Sequence, residues 1–322
     1  MSQQRVVVVT GANGFVGRAL CAEAVARGTA VRGITRFAHE LPAGVQNLVV
    51  GSLDASTDWR DGLTDCGVVV HLAARVHVMQ DVAADPLVDF RRVNVQGTLN
   101  LARQAAAAGV RRFVLVSSIK VNGEATQLGH LFTADDVPAP LDDYGVSKME
   151  AERGLREIAG HTGMEVVIIR PPLVYGPGVK ANFAAMTRWL KRGIPLPLGA
   201  IHNQRSLVAL DNLVDLIITC LTHPAAANQT FLVSDGEDLS TTQLLRRMGA
   251  ALGKPARLMP VPVSVLKLGA ALVGKPELAQ RLCGSLQVDM SKTRELLGWT
   301  PPFSVDEGLK KAAEGYLRET AV

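Results

Sequence analysis

The chain has 322 residues, 48% hydrophobic and 20% charged, with a formal net charge of +4. That is the composition of a globular protein with a sizeable core, in one large domain or two modest ones. The dispersed Lys and Arg exclude a nucleic-acid surface, while the mildly basic balance suits a small anionic substrate.

Cys21, Cys66, Cys220 and Cys283 stand far apart, and the seven histidines include no His-Glu-x-x-His pair. Neither a disulfide framework nor a metal centre is expected. The Val-rich run from Val6 reaches a glycine loop too soon for a leader peptide. The apolar stretch Val261 to Val273 is interrupted by Ser264 and Lys267 and is too short to span a bilayer. A cytoplasmic protein without membrane insertion is the expectation.

In chain order, Arg5–Thr10 is a β-branched run that ends in Thr10-Gly11-Ala12-Asn13-Gly14-Phe15-Val16-Gly17. A helical pattern from Phe15 to about Arg27 follows, then a strand at Ala30–Ile34. Strand, glycine turn, helix and strand open a doubly wound nucleotide-binding fold. The turn lets backbone approach a pyrophosphate, and the helix N-terminus supplies N–H donors. Further strands are predicted at Gln46–Val50, Val68–Leu72, Phe113–Ser117 and Val166–Arg170, with helices at Leu87–Ala108 and Tyr144–Ala159. The fold class is α/β, a doubly wound parallel sheet with helices on both faces. Cofactor and chemistry belong at the strands' carboxyl ends, where Gly11, Ala73, Ser118 and Pro171 fall.

After Pro171-Pro172 the texture changes, with Pro/Gly-rich loops between shorter elements. Residues 1–172 read as the dinucleotide-binding domain and 173–322 as a smaller substrate-binding region. Segments 207–210 and 230–233 are candidates to return as strands to the first domain. Helices are expected at Phe183–Arg192, Leu213–Thr222, Thr241–Leu252 and Ser304–Arg318.

Asp142-Asp143-Tyr144-Gly145-Val146-Ser147-Lys148 opens the helix that carries the chemistry. Asp142 or Asp143 can cap it. Tyr144 and Lys148, at i and i+4, share one face, and an ammonium beside a phenol favours the phenolate. The expectation is a Tyr144 pKa lowered from its usual value near ~10.

Together these residues resemble the extended short-chain dehydrogenase/reductases, the family of nucleotide-sugar epimerases, dehydratases and ketoreductases. The resemblance spans nearly the whole chain. It rests on Gly11-x-x-Gly14-x-x-Gly17, His71-Leu72-Ala73-Ala74, Asn94-Val95-x-Gly97-Thr98, Ser117-Ser118, Tyr144-x-x-x-Lys148, Arg170-Pro171-x-x-x-Tyr175-Gly176-Pro177-Gly178, and later Arg205 and Asp289-x-Ser291-Lys292. It implies that Ser118 hydrogen-bonds the reacting oxygen, Tyr144 is the acid/base, and Lys148 tunes the tyrosine and holds the nicotinamide ribose. Asn94 is expected to brace sheet and catalytic helix, and His71 to pack at its strand end.

The implied cofactor site comprises Gly11, Asn13, Gly14, Phe15, Val16, Gly17, Arg36, Ser52, Leu53, Leu72, Ala73, Ala74, Tyr144, Lys148 and Pro171. Thr35-Arg36 stands where members preferring NAD carry an acid. This favours a 2′-phosphate and hence NADP(H), with NAD(H) as the alternative. Lys120, Asn182 and Arg205 are the substrate candidates. Asn182 and Arg205 match positions that hold a nucleotide diphosphate in relatives.

Ser118-Ile119-Lys120 lacks the Asp-Glu pair of the dehydratases, which excludes elimination. The run Ser118 to Glu124 looks most like 4-ketoreductases acting on a UDP-2-acetamido-2,6-dideoxy-4-hexulose in surface-polysaccharide synthesis, with UDP-QuiNAc or UDP-FucNAc type products. The alternative is a UDP-hexose or UDP-N-acetylhexosamine 4-epimerase with tightly bound NAD. A non-catalytic dinucleotide sensor is a minor third reading. Relatives dimerise through two helices per subunit, and those at Leu87–Ala108 and Tyr144 offer such a face for a homodimer.

Overall fold

Val6–Thr10 (β1) sends alternate side chains to opposite sides, Val7 and Val9 into one core and Val8 into another. A strand buried on both faces needs helices on both, and that is the architecture of the computed structural model. It describes residues 5–76, 85–127, 129–179 and 181–320, apart from the side chains of residues 181, 182 and 276.

The strands are β1, β2 (Val31–Thr35), β3 (Gln46–Val49), β4 (Cys66–His71), β5 (Arg112–Val116), β6 (Glu165–Arg170), β7 (Leu173–Tyr175), β8 (Leu207–Ala209) and β9 (Thr230–Leu232). The main sheet has seven strands in the order β3-β2-β1-β4-β5-β6-β9. All its pairings are parallel. The order reverses between β1 and β4, which opens a crevice at their carboxyl ends. Thr230–Leu232 thus returns to the main sheet, whereas Leu207–Ala209 pairs with Leu173–Tyr175 in a separate two-stranded parallel sheet.

The helices are α1 (Phe15–Ala26), α2 (Arg60–Leu63), α3 (Pro86–Phe90), α4 (Thr98–Ala107), α5 (Asp143–Thr162), α6 (Ala181–Arg192), α7 (Leu210–Thr222), α8 (Thr241–Ala251), α9 (Val263–Leu272), α10 (Pro276–Cys283), α11 (Ser291–Leu297) and α12 (Val305–Glu319). On one face Leu20 and Cys21 of α1 meet Leu213 and Ile217 of α7 over Val7 and Val9. On the other, Leu101 of α4 and Leu155 of α5 cover Val8, Val69 and Phe113. A third core joins Tyr175, Phe183, Leu245 and Leu309 below the small sheet.

The single helix expected over Leu87–Ala108 is interrupted. Between α3 and α4 the chain makes a π-helical segment, Arg91–Gly97. There it packs closely against a segment distant in sequence: a Cβ on Gly97 would lie 2.9 Å from the Leu53 carbonyl oxygen. Asn94 at the same segment turns inward to polar partners. A widened turn that re-aims one side chain is the usual role of such bulges. Among the described residues no helix is long and apolar enough to cross a membrane.

Candidate active site

The crevice begins with the glycine turn. Gly11 sits at φ +68°, and a Cβ there would meet the Ala73 nitrogen at 2.9 Å. Gly17 is tighter still, since its Cβ would stand 2.1 Å from the Gly11 carbonyl oxygen. Gly14 caps α1, and its N–H donates to Gly11 O at 2.9 Å. Asn13 and Gly14 lie exposed at the helix start. Backbone that close, ending on an open helix N-terminus, is a cradle fitted to a pyrophosphate. Phe15 and Val16 pack partly buried beneath it, as does Leu72 from the end of β4. Ala73 and Ala74 continue the β4 edge, with the Ala73 N–H donating to Thr10 Oγ1 at 3.3 Å.

His71 is part of this scaffold. Its ring nitrogens join Thr10 Oγ1 at 2.7 Å and Thr98 Oγ1 at 2.9 Å, tying β1 to β4 and α4. Burial, and then the Lys148 ammonium, push its pKa down to about 3, so it is neutral. Asn94 accepts from the Arg75 N–H at 2.8 Å and donates to Arg75 O and Ser147 Oγ, both at 3.0 Å. It thereby links the loop after β4 to the helix bearing Tyr144.

That helix starts as its spacing suggested. Asp142 is the N-cap, its carboxylate accepting from the Gly145 N–H at 2.7 Å. A Cβ on Gly145 would lie 2.9 Å from Lys120 O, so α5 begins directly on the loop that carries Ser118. Ser118 Oγ accepts from the Lys120 N–H at 3.2 Å, which leaves its own O–H free to point at a reacting oxygen. Pro171 closes the same corner, its carbonyl accepting from the Ile119 N–H at 3.0 Å.

Lys148 is buried and donates to Val116 O at 2.9 Å. Burial lowers its pKa to about 8, against the opposing pull of Glu152. Tyr144 meets Phe90 edge-on at 6.1 Å between ring centroids. Here the structure corrects an expectation. The Tyr144 pKa is pushed up to about 12, not lowered. Burial of the phenol is the larger cause and the Asp142 carboxylate the second. A shared helix face was not enough to lower it, because burial and the Asp142 carboxylate both disfavour the phenolate.

Lys120 does not simply point to water. Its ammonium pairs with Asp142 and, at 3.3 Å, with Glu124. It therefore neutralises the carboxylate that works against Tyr144 ionisation. Arg205, just before β8, is half-buried, donating to Arg281 O at 3.1 Å and Gly284 O at 3.0 Å. Burial lowers its pKa, so the charge is held at some cost. The side chain of Asn182 lies outside the described residues. Arg36 is exposed, its guanidinium 5.9 Å from the Phe37 ring centroid. Ser52 is exposed and Leu53 buried.

Arg170 and Ser117 stand in the sequence motifs, but their convergence on buried Glu152 is not legible there. Arg170 forks onto Glu152, at 2.9 Å to Oε1 and 2.6 Å to Oε2, and reaches Asn122 Oδ1 at 2.9 Å. Ser117 Oγ donates to the same carboxylate at 2.6 Å. This cluster locks β5, β6, α5 and the loop after Ser118 together. Glu152 stands four residues after Lys148, the one spacing that could have drawn attention to it. Among the described residues no cluster of His, Cys, Asp or Glu could hold a metal ion.

Residues 7–234 match the NAD dependent epimerase/dehydratase family. The chain belongs to that family. A UDP-glucose 4-epimerase of Vibrio cholerae is 51% identical over 314 residues, 97% of this chain and 95% of that protein. A solved structure of MoeE5 with UDP-glucose and NAD is 27% identical, with TM-score 0.76 over 98% of this chain and 99% of that one. A UDP-N-acetylglucosamine 4-epimerase from Bacillus cereus, 20% identical, shares the fold with TM-score 0.79 over 98% and 99% of the two chains.

As a member of this family the chain is an NAD(P)-binding enzyme of nucleotide-sugar chemistry. The likeness to MoeE5, solved with NAD both beside UDP-glucose and beside UDP-glucuronic acid, overturns the expectation of NADP(H). That expectation rested on Arg36, a single exposed cation whose guanidinium lies 5.9 Å from the Phe37 ring centroid. One residue type at the end of β2 carried too much of that inference.

Proposed function

We propose that this enzyme is a UDP-hexose or UDP-N-acetylhexosamine 4-epimerase that works with a retained NAD. The observation that carries the reading is the Vibrio cholerae relative, half identical along nearly the whole chain, combined with Ser118, Tyr144 and Lys148 around the β5 end and α5 start. The glycine cradle, Leu72, Ala73 and Ala74 would hold the dinucleotide, with Lys148 at its ribose. When bound, nicotinamide supplies a reversible hydride acceptor. Tyr144 takes the proton of the sugar C4 hydroxyl and later gives it back. The Ser118 O–H, its oxygen already accepting from Lys120 N–H, donates to that same sugar oxygen. Arg205 is the candidate for the nucleotide diphosphate, as a planar fork suited to phosphate oxygens. The α4 and α5 faces, where Leu99 and Ile158 are half-buried, are the proposed homodimer contact.

A 4-ketoreductase remains the second reading, on the strength of the Ser118-Ile119-Lys120 run. Purified enzyme without added dinucleotide separates the two. Conversion of UDP-glucose or UDP-N-acetylglucosamine to the C4 epimer supports the epimerase. Inert UDP-hexoses, together with NADH oxidation on a UDP-4-keto-6-deoxy sugar, would establish the reductase instead.

A further inference from the structure

We propose that the hairpin of α9 and α10 is a docking surface for an anionic phospholipid bilayer. Helix α9 is apolar nearly all round, VSVLKLGAAL, yet none of its residues is buried. A helix of that character belongs in a core or against lipid. Only its inner edge, Val263 and Leu266, packs partly onto the third core. Val265, Leu268 and Leu272, at i, i+3 and i+7, form the opposite stripe and are 54%, 62% and 80% exposed. Val273 and Leu278 extend the apolar surface across the turn into α10. Isolated exposed leucines are ordinary, but a contiguous set on one hairpin marks an interaction face.

Charge indicates the partner. Residues 254–281 hold Lys254, Arg257, Lys267, Lys275 and Arg281 against Glu277 alone. The chain has 34 basic and 30 acidic residues, so 29 of each remain elsewhere. A net +4, equal to that of the whole chain, therefore falls within residues 254–281: Lys267, Lys275 and Arg281 against Glu277 lie in the hairpin, and Lys254 and Arg257 in the segment that leads into it. All five basic side chains are exposed. Apolar residues flanked by lysine and arginine are how a short helix lies in a bilayer interface without crossing it. A second copy of the chain would bring this charge against itself, which makes self-association here unfavourable at low salt.

The full chain, mixed with vesicles of equal parts phosphatidylglycerol and phosphatidylcholine, should co-float at least tenfold more than with phosphatidylcholine alone. Salt of about 1 M, where the Debye length falls to about 3 Å, should weaken that preference. Leu268→Glu with Leu272→Glu should abolish flotation, and Lys267→Glu with Lys275→Glu should remove the preference for anionic lipid. Unchanged melting temperature and unchanged turnover of a soluble nucleotide sugar certify the fold. Absence of flotation by the parent protein, or equal flotation of the leucine variant, overturns the proposal. So does a parent dimer that the leucine variant turns into monomers without any vesicle binding, which would assign the face to a second copy.

Discussion

Substituting Arg170 by Met tests how the fold holds the site. Arg170 and Glu152 side chains are 2% and 1% exposed, and the guanidinium engages both carboxylate oxygens. Without Arg170, Glu152 keeps the Ser117 hydroxyl and a long 3.4 Å contact with Arg156, itself half in solvent. Removing one partner of a buried pair costs about 3–5 kcal/mol, because a charge stays buried without compensation. At roughly 2–4 °C per kcal/mol the melting temperature should fall by about 6–20 °C. Replacing both residues with apolar ones should be milder than the single change, since the uncompensated charge goes too. Equilibrium urea unfolding of Arg170→Met, Glu152→Leu and the double variant measures this. A loss below about 1 kcal/mol for Arg170→Met, or a double variant as unstable as the worse single one, would refute the reasoning. Asn122 also loses its anchor, so the loop after Ser118 should loosen.

Further outcomes follow from other residues. Gly17→Ala forces a Cβ against the Gly11 carbonyl and should abolish dinucleotide binding, whereas Gly160→Ala, with open space around it, should be neutral or stabilising by up to about 1 kcal/mol. Titration calorimetry and thermal melts distinguish these. His71 has a folded pKa of about 3, below its unfolded value, so the unfolded chain binds the extra proton first. Stability should therefore fall as pH drops from about 6.5 towards 3, and His71→Gln should flatten that slope in melts against pH. Asp142 raises the Tyr144 pKa. Asp142→Asn, which keeps a good cap, should move the rising limb of kcat/KM to lower pH. Lys120→Met should move it higher, since it leaves the Asp142 carboxylate without its ammonium.

The regular part of the molecule was readable because its cause is local. Short apolar runs became β1 to β6, and Asp142 capped α5 where the acidic pair predicted a start. What escaped depends on distant contact. The π-helical segment carries Gly97 tight against Leu53 and Asn94 bonded to Arg75 and Ser147, all contacts with residues distant in sequence. The Arg170–Glu152 lock joins a strand to a helix 18 positions away, with no periodicity to reveal it. Helix α9 lacks the polar face that marks an ordinary surface helix, so its sequence, too short to span a bilayer, does not reveal which side faces outward. Tyr144 and Lys148 were found by spacing, but the direction of the tyrosine's pKa was set by burial and by Asp142. The NADP(H) preference failed because one cation at the end of β2 does not make a phosphate site.

The central claim is that one active site takes a hydride from the sugar and returns it to the opposite face. A UDP-hexose deuterated at C4, incubated with the purified protein and no added dinucleotide, tests this by nuclear magnetic resonance of the product. The account predicts the C4 epimer with deuterium still at C4, and Tyr144→Phe should slow its formation by about 100-fold or more. Absence of the epimer, or an epimer carrying protium at C4, would contradict it.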